Sequence, residues 1–177
     1  MIRKQIGFFV FIATILLTGC FSIKPGTVNT KFYTLKSTQK LEASVQASKS
    51  TPSVSIGRIQ MPAYLERLNI ARRAGGSEII YSDTARWAEN VDLGVARVVA
   101  QDLSIYLNSR NVTTFPWVKA FEHDFDIYLN LVEFIANTRT KKIELSGTWR
   151  LVEAKLGGQT LEVGEFRFDI ELSLIHI

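Results

Sequence analysis

Apolar residues alternate with polar ones in three long stretches of the C-terminal third. Phe125, Ile127, Leu129 and Leu131 are separated by Asp126, Tyr128 and Asn130. Ile143, Leu145, Gly147, Trp149 and Leu151 alternate with Glu144, Ser146, Thr148 and Arg150, and Phe166, Phe168, Ile170 and Leu172 with Arg167, Asp169 and Glu171. A period of two sends successive side chains to opposite faces of a strand. One apolar and one wet face therefore predict an antiparallel meander covered on one side. Residues 137–141 and 155–159, the latter with Gly157-Gly158, supply its turns. Gly164 falls where the inward phase shifts from Val163 to Phe166, which predicts a bulge there.

The rhythm changes between residues 91 and 110. Val91, Val95, Val98, Val99, Leu103, Tyr106 and Leu107 recur at three- and four-residue spacing and form one stripe. Arg97, Gln101, Asp102, Ser104 and Asn108 take the other side, so this is a helix with a core-facing stripe. Asn90 stands at the N-cap and Asn111 closes the helix before a β-prone stretch over 112–117.

Upstream, Phe32-Tyr33-Thr34-Leu35 predicts a brief strand, and 54–61 a longer one that points Val54, Ile56 and Ile59 inward and stops at Pro62. Residues 68–73 and 78–82 flank Ala74-Gly75-Gly76-Ser77, whose glycines supply the positive φ of a tight β-hairpin. Residues 37–53 hold too few large apolar side chains to pack and read as a flexible loop.

The expected fold is α+β, in two layers. A largely antiparallel sheet, made from the N-terminal strands, the hairpin and the three-strand meander, is packed by one long helix. Such domains usually carry a second helix. The chain runs to Ile177 in mid-pattern, and Leu172-Ser173-Leu174-Ile175-His176-Ile177 resembles a peptide read through from a sequencing adapter. The expectation is a truncated C-terminus with a covering helix missing.

At the other end, Arg3 and Lys4 precede a dozen mostly apolar residues, Ile6 to Leu17, too few to span a bilayer. Leu17-Thr18-Gly19-Cys20 then matches the lipobox of bacterial lipoproteins. In that motif the thiol takes diacylglycerol, the Gly–Cys bond is cut, and the new amine is acylated. Residues 1–19 read as the lipoprotein signal peptide, 20–31 as a lipid-anchored tether containing Pro25, Gly26 and Asn29, and 32–177 as one periplasmic domain. Phe21 is not the Asp that resembles an inner-membrane retention signal, which favours the outer membrane, facing the periplasm. Acyl chains contribute about 0.8 kcal/mol per buried CH2 and hold such a protein without a transmembrane helix.

Charge and chemistry narrow the reading further. Net charge is +4 over 177 residues, and two of those charges belong to Arg3 and Lys4. There is no basic cluster interleaved with aromatics, which argues against a nucleic-acid partner. Cys20 is the single cysteine, so once lipidated it leaves no thiol for a disulfide or a metal. His123 has no second His or Cys nearby, and His176 lies in the doubtful tail. No serine sits in a Gly-x-Ser-x-Gly elbow. Asp124 and Asp126 could be paired carboxylates, but solvated residues of the wet face are the commoner case. The inventory favours a binding or structural role. It calls for no metal and no cofactor beyond the diacylglycerol and N-acyl chain on Cys20.

Five segments, in order, resemble a known family. Val54 to Arg67 is similar to its strand followed by Pro-x-Tyr-Leu, and Leu68 to Tyr81 to its hairpin. Arg86-Trp87-Ala88-Glu89 is similar to its signature before the helix, and Leu93 to Val98 and Ala100 to Leu103 to the helix itself. With the lipobox and Phe32-Tyr33-Thr34-Leu35, the chain resembles the PqiC-like ABC-type transport auxiliary lipoproteins from Cys20 to about Leu172. Asn90-Val91 departs from the usual Pro-Leu, and the family's C-terminal helix is missing.

The resemblance implies an accessory subunit that is not an enzyme. It would work with an MCE-domain protein and its ABC transporter in moving phospholipid between the envelope membranes, with self-association into a homo-oligomer left open. Other classes that the chain's exported, anchored character admits are an envelope hydrolase and a chaperone. Pro62, Tyr64 and Leu65, in an apolar loop, and Arg86 and Trp87 are the candidate partner-contact residues. Their simpler roles would be structural: Trp87 plugging the core edge, and Arg86 pairing with Glu66 or Glu89.

Overall fold

A computed structural model describes residues 29–39, 51–117, 122–155 and 158–171. Outside these lie Cys20 with its lipobox (Leu17, Thr18, Gly19), the signal peptide, most of the tether, residues 40–50 of the expected loop, and 172–177, where the covering helix is expected to be missing.

The elements, in order, are β1 (Lys31–Tyr33), β2 (Val54–Ile56), a one-turn 3-10 helix (Ala63–Leu65), β3 (Asn69–Gly75), β4 (Glu78–Trp87), α1 (Val91–Tyr106), β5 (Val112–Thr114), β6 (Phe125–Asn137), β7 (Lys142–Glu153) and β8 (Gln159–Glu171). All eight strands join one mixed sheet. The axis is β6. Along one edge β7 pairs with it antiparallel, and β8 pairs antiparallel with β7. The other edge of β6 is divided, with β2 lying parallel to its start and β3 parallel to its end. Beyond β2 lies β5, also parallel, while β4 folds back on β3 and β1 pairs parallel with β4. The long pairings are antiparallel and the short ones parallel. The architecture is therefore α+β with a largely antiparallel sheet and a single helix among the described residues, as the apolar periods predict.

Strand β2 with the chain just after it, the middle of β6 and one helix face make the core. Val54, Ile56, Ile59 and Leu131 pack against Ala96 and Ala100, with Val95, Val99 and Leu103 at the margin. Alanines one turn apart let the helix approach the sheet closely. Because α1 rests on β2 and β5, each only three residues long, its last turn overhangs the sheet. Tyr106, expected in the buried stripe, is 72% exposed as a result. The helix also ends earlier than 110. Asn108 takes φ 47°, its N–H bonds to the Ile105 carbonyl, and the Ser109 N–H reaches back to Ser104. Those two bonds form a Schellman motif. Asn90 stands at the N-cap without a side-chain bond.

The meander is longer and more irregular than the alternation suggests. A bulge at Val132 shifts the β6–β7 register between Leu131 and Glu133 and reverses the phase of β6 beyond it, so that Phe134 and not Ile135 shares the face of Leu131; Leu131 and Ile135 are both buried and Val132 faces solvent. The bulge in β8 falls at Leu161, where Glu162 pairs with Leu151 but Thr160 with Val152. Gly164 is instead in regular register with Trp149, whose indole covers it; a β-carbon there would lie 2.5 Å from Nε1. Its glycine reflects a close approach and not a bulge.

Candidate functional site

Alternation along β6 divides the sheet into two unlike faces. Ile127, Leu129 and Leu131 point toward α1, so Asp126, Tyr128 and Asn130 point away. Their register partners Val152, Arg150 and Thr148 share that outer face, as do Val163 and Glu165 of β8. The outer face is concave and encloses an open groove of about 920 Å³, lined among others by Arg58, Tyr128, Asn130, Thr148, Arg150 and Glu165.

Local geometry fixes the floor of this groove. The Gly57 N–H donates to the Ile127 carbonyl at 2.8 Å, which draws the chain after β2 against β6 and under the Tyr128 ring. Arg58 follows Gly57 directly, and Arg150 stands opposite Tyr128 in the β6–β7 register. Two guanidinium groups therefore belong to the surroundings of one ring, and neither forms an ion pair among the described residues. Burial, aided by the Asp126 charge, raises the Tyr128 phenol above its ordinary range, so it remains a neutral hydroxyl. The groove offers cationic, carboxylate, hydroxyl and amide groups around an aromatic surface.

The two aspartates expected as a solvated pair behave separately. Asp126 is buried beside Ser55, its cross-strand partner, and its Oδ1 lies 2.9 Å from His123 Nε2. Asp124 accepts from both the backbone N–H and the hydroxyl of Ser53, each at 2.8 Å, and pairs with Lys155. The Lys155 contact and then the Ser53 bonds hold its carboxyl well below the usual carboxylate range. This clamp ties the start of β2, the start of β6 and the end of β7 together. Its role is structural.

The residues singled out in the sequence partly converge. Leu65 is 4% exposed and belongs to the core, so it presents nothing to a partner. Tyr64 is half-buried, and its hydroxyl accepts the Phe134 N–H at 3.3 Å. Burial raises its pKa first, Glu133 and Glu144 push the same way, and the Phe134 bond and Arg73 oppose them. Trp87 stacks on the Phe134 ring, with centroids 5.9 Å apart. Tyr64 and Trp87 thus meet at Phe134, just past the β6 bulge. Pro62 flanks the 3-10 turn, half-buried, and Arg86 is exposed. Glu89 pairs with Arg97, so Arg86 does not have the Glu89 partner expected for it. Sequence reading missed the neighbouring cluster in which Arg73 bridges Glu133 and Glu144. These charges are far apart in the chain and meet only through the parallel β3–β6 pairing. Among the described residues, no group of three His, Cys, Asp or Glu side chains could hold a metal.

A single α-helix among the described residues, packed on one mixed sheet, makes this an α+β domain. Residues 33–173 match the ABC-type transport auxiliary lipoprotein component family, and the chain belongs to that family, the PqiC-like group its segments resemble. Membership makes it an auxiliary component of an ABC-type transport system and a membrane-anchored lipoprotein of the cell envelope. It also implies a non-enzymatic role.

Two solved structures share the fold at low identity, and a third is more distantly similar. A crystal structure of an uncharacterized protein superposes with TM-score 0.63 at 15% identity, covering 81% of this chain and 80% of that one. Protein XCC0632 from Xanthomonas campestris, assigned to DUF330, gives 0.61 at 8%, covering 80% and 78%. A PelC dodecamer from Paraburkholderia phytofirmans gives 0.46 at 10%, covering 70% and 76%. No curated protein matches the chain.

Proposed function

We propose that this chain is the outer-membrane-anchored accessory subunit of an ABC/MCE-type system that moves phospholipid between the two envelope membranes. The observation that carries the reading is the family match over 33–173. Two features of the sequence support it: the lipobox ending at Cys20, and Phe21 in place of a retention Asp. In this reading the acyl chains on Cys20 hold the domain at the periplasmic face of the outer membrane. Pro62, Tyr64, Arg86 and Trp87 border the surface offered to the MCE partner, and the groove floored by Tyr128 remains open to a polar headgroup.

The test is affinity purification of the full lipidated chain from detergent-solubilised membranes. Recovery of an MCE-domain protein with its ATPase and permease is the expected result. Recovery of none of these, with esterase or amidase activity in the purified protein, would replace the proposal with an envelope hydrolase. Recovery of diverse unfolded clients would replace it with a chaperone.

A further inference from the structure

The stretch that leads out of the expected anchor has a charge pattern unlike the rest of the chain. Between Cys20 and Leu41 stand four lysines, Lys24, Lys31, Lys36 and Lys40, and no aspartate or glutamate. From Glu42 onward acidic residues outnumber basic ones. Lys31 and Lys36 lie among the described residues, where both are exposed and neither forms an ion pair.

Local bonds fix how this stretch faces its surroundings. Residues 35–39 run along α1: the Leu35 carbonyl accepts from Arg97 at 3.0 Å, the Leu35 side chain reaches Gly94, and the Ser37 hydroxyl bonds to Asp102. Tyr33, Leu35 and Ser37 therefore turn inward, while Phe32, Thr34 and Lys36 turn outward and are exposed. Phe32 keeps 63% of its surface in solvent, and exposed Arg86 stands opposite it in the β1–β4 register. The nearby acids of the helix and its entry are already engaged, Asp102 by Ser37 and Glu89 by Arg97. Asp83 of β4 lies two residues before the stretch that pairs with β1.

A lone exposed phenylalanine is ordinary. One set among cations, where a lipid-anchored tether enters the domain, has the chemistry of a lipid-facing surface: the ring enters the headgroup boundary and the cations meet anionic phosphates. Chain length keeps the two close. From Cys20 to Lys31 the extended chain spans at most about 40 Å, so contacts too weak to recruit a free protein suffice for a tethered one.

We propose that the outward row of β1 and its continuation, Phe32 and Lys36 with Lys31 and Arg86 beside them, docks the domain on an anionic lipid surface. The inference rests on the anchor at Cys20. Docking holds the β1 edge of the sheet at the bilayer and keeps β8, five strand spacings or about 24 Å away, clear of it.

Full lipidated protein in vesicles tests this, with phosphatidylcholine alone compared with a mixture containing phosphatidylglycerol. With Cys20 alkylated, Thr34→Cys supplies the reactive thiol for a fluorophore, and Thr160→Cys on β8 is the control; both positions are exposed. Nitroxide lipids should quench the dye at 34 in the phosphatidylglycerol vesicles and leave it unquenched at 160. Lys31→Glu with Lys36→Glu should lower the docked-to-undocked ratio at least tenfold, and molar salt should act in the same direction. Phe32→Ser should lower it about tenfold, whereas Lys31→Arg with Lys36→Arg should preserve it. Circular dichroism checks that each variant remains folded, as expected for exposed side chains. Flotation of the vesicles reports the anchor separately. Protein that floats in both mixtures but is quenched no more at 34 than at 160 would overturn docking and leave the anchor standing. So would equal quenching without phosphatidylglycerol, or a charge-reversed variant that docks like wild type. Protein that fails to float would overturn the anchor and the docking together.

Discussion

Gly57 lies beneath the ring of Tyr128, so close that an added β-carbon would stand 2.6 Å from Cδ1 and 2.7 Å from Cε1. The backbone cannot retreat without losing the bond from the Gly57 N–H to Ile127, so the ring must move. Gly57→Ala should therefore cost about 1–3 kcal/mol, the usual range for overpacking a filled space. In a Tyr128→Ala background the same change should cost far less, because the obstructing ring is gone. Urea denaturation of the four proteins of this cycle provides the check; equal costs in both backgrounds would show that the ring is not the constraint.

Tyr64 acts on β6 through one atom. Its hydroxyl caps the Phe134 N–H just beyond the Val132 bulge, where the strand ladder is disturbed. Tyr64→Phe removes that acceptor and leaves a half-buried donor without its partner, a loss of about 1–3 kcal/mol. The same variant should speed amide exchange at Phe134 selectively, whereas a general loss of packing would speed exchange along all of β6.

Much of this architecture is legible in the sequence because it rests on local periodicity. The hairpin around Gly75-Gly76, the helix start after Asn90 and the three alternating strands each follow from residues within a few positions of one another. What escapes is long-range. The parallel pairings of β6 with β2 and β3 join segments some seventy residues apart, and no periodic signal encodes them. They bury Asp126 beside Ser55 and bring Arg73 to Glu133 and Glu144. The β2–β6 pairing also sets Arg58 beside Tyr128, whose other guanidinium neighbour, Arg150, comes from the β6–β7 hairpin, so the groove could not be read in advance. The Tyr106 error has a similar origin: spacing gives the helix's apolar stripe but not where the sheet beneath it ends.

Lipidation at Cys20 is the chemical premise of the proposed location, and it is directly measurable. In the lipobox reading the Cys20 thiol would accept diacylglycerol, and the Gly19–Cys20 bond would be cut after that modification. Cys20→Ser should leave an uncleaved precursor that retains residues 1–19 and takes up no labelled palmitate. Labelling that persists in the variant would place the acyl chain elsewhere and remove the basis for the anchor.

Asp124 gives the domain a defined response to acid. Its carboxylate accepts two bonds from Ser53 and pairs with Lys155, and these contacts hold its pKa below the usual carboxylate range. A carboxyl whose folded value is depressed stabilises the fold above its unfolded value, about 3.9. That contribution fades as pH falls toward the folded value, because protonation cancels the charge that Ser53 and Lys155 hold. Asp124→Asn keeps the shape but not the charge, so at neutral pH it should be less stable than wild type. The gap in urea midpoint should shrink from about pH 5 downward. Part of the Lys155 contribution is screened by solvent, so raising salt should narrow the neutral-pH gap while leaving the portion due to Ser53. A gap that stays constant from neutral pH into strong acid would mean that the clamp works through shape alone.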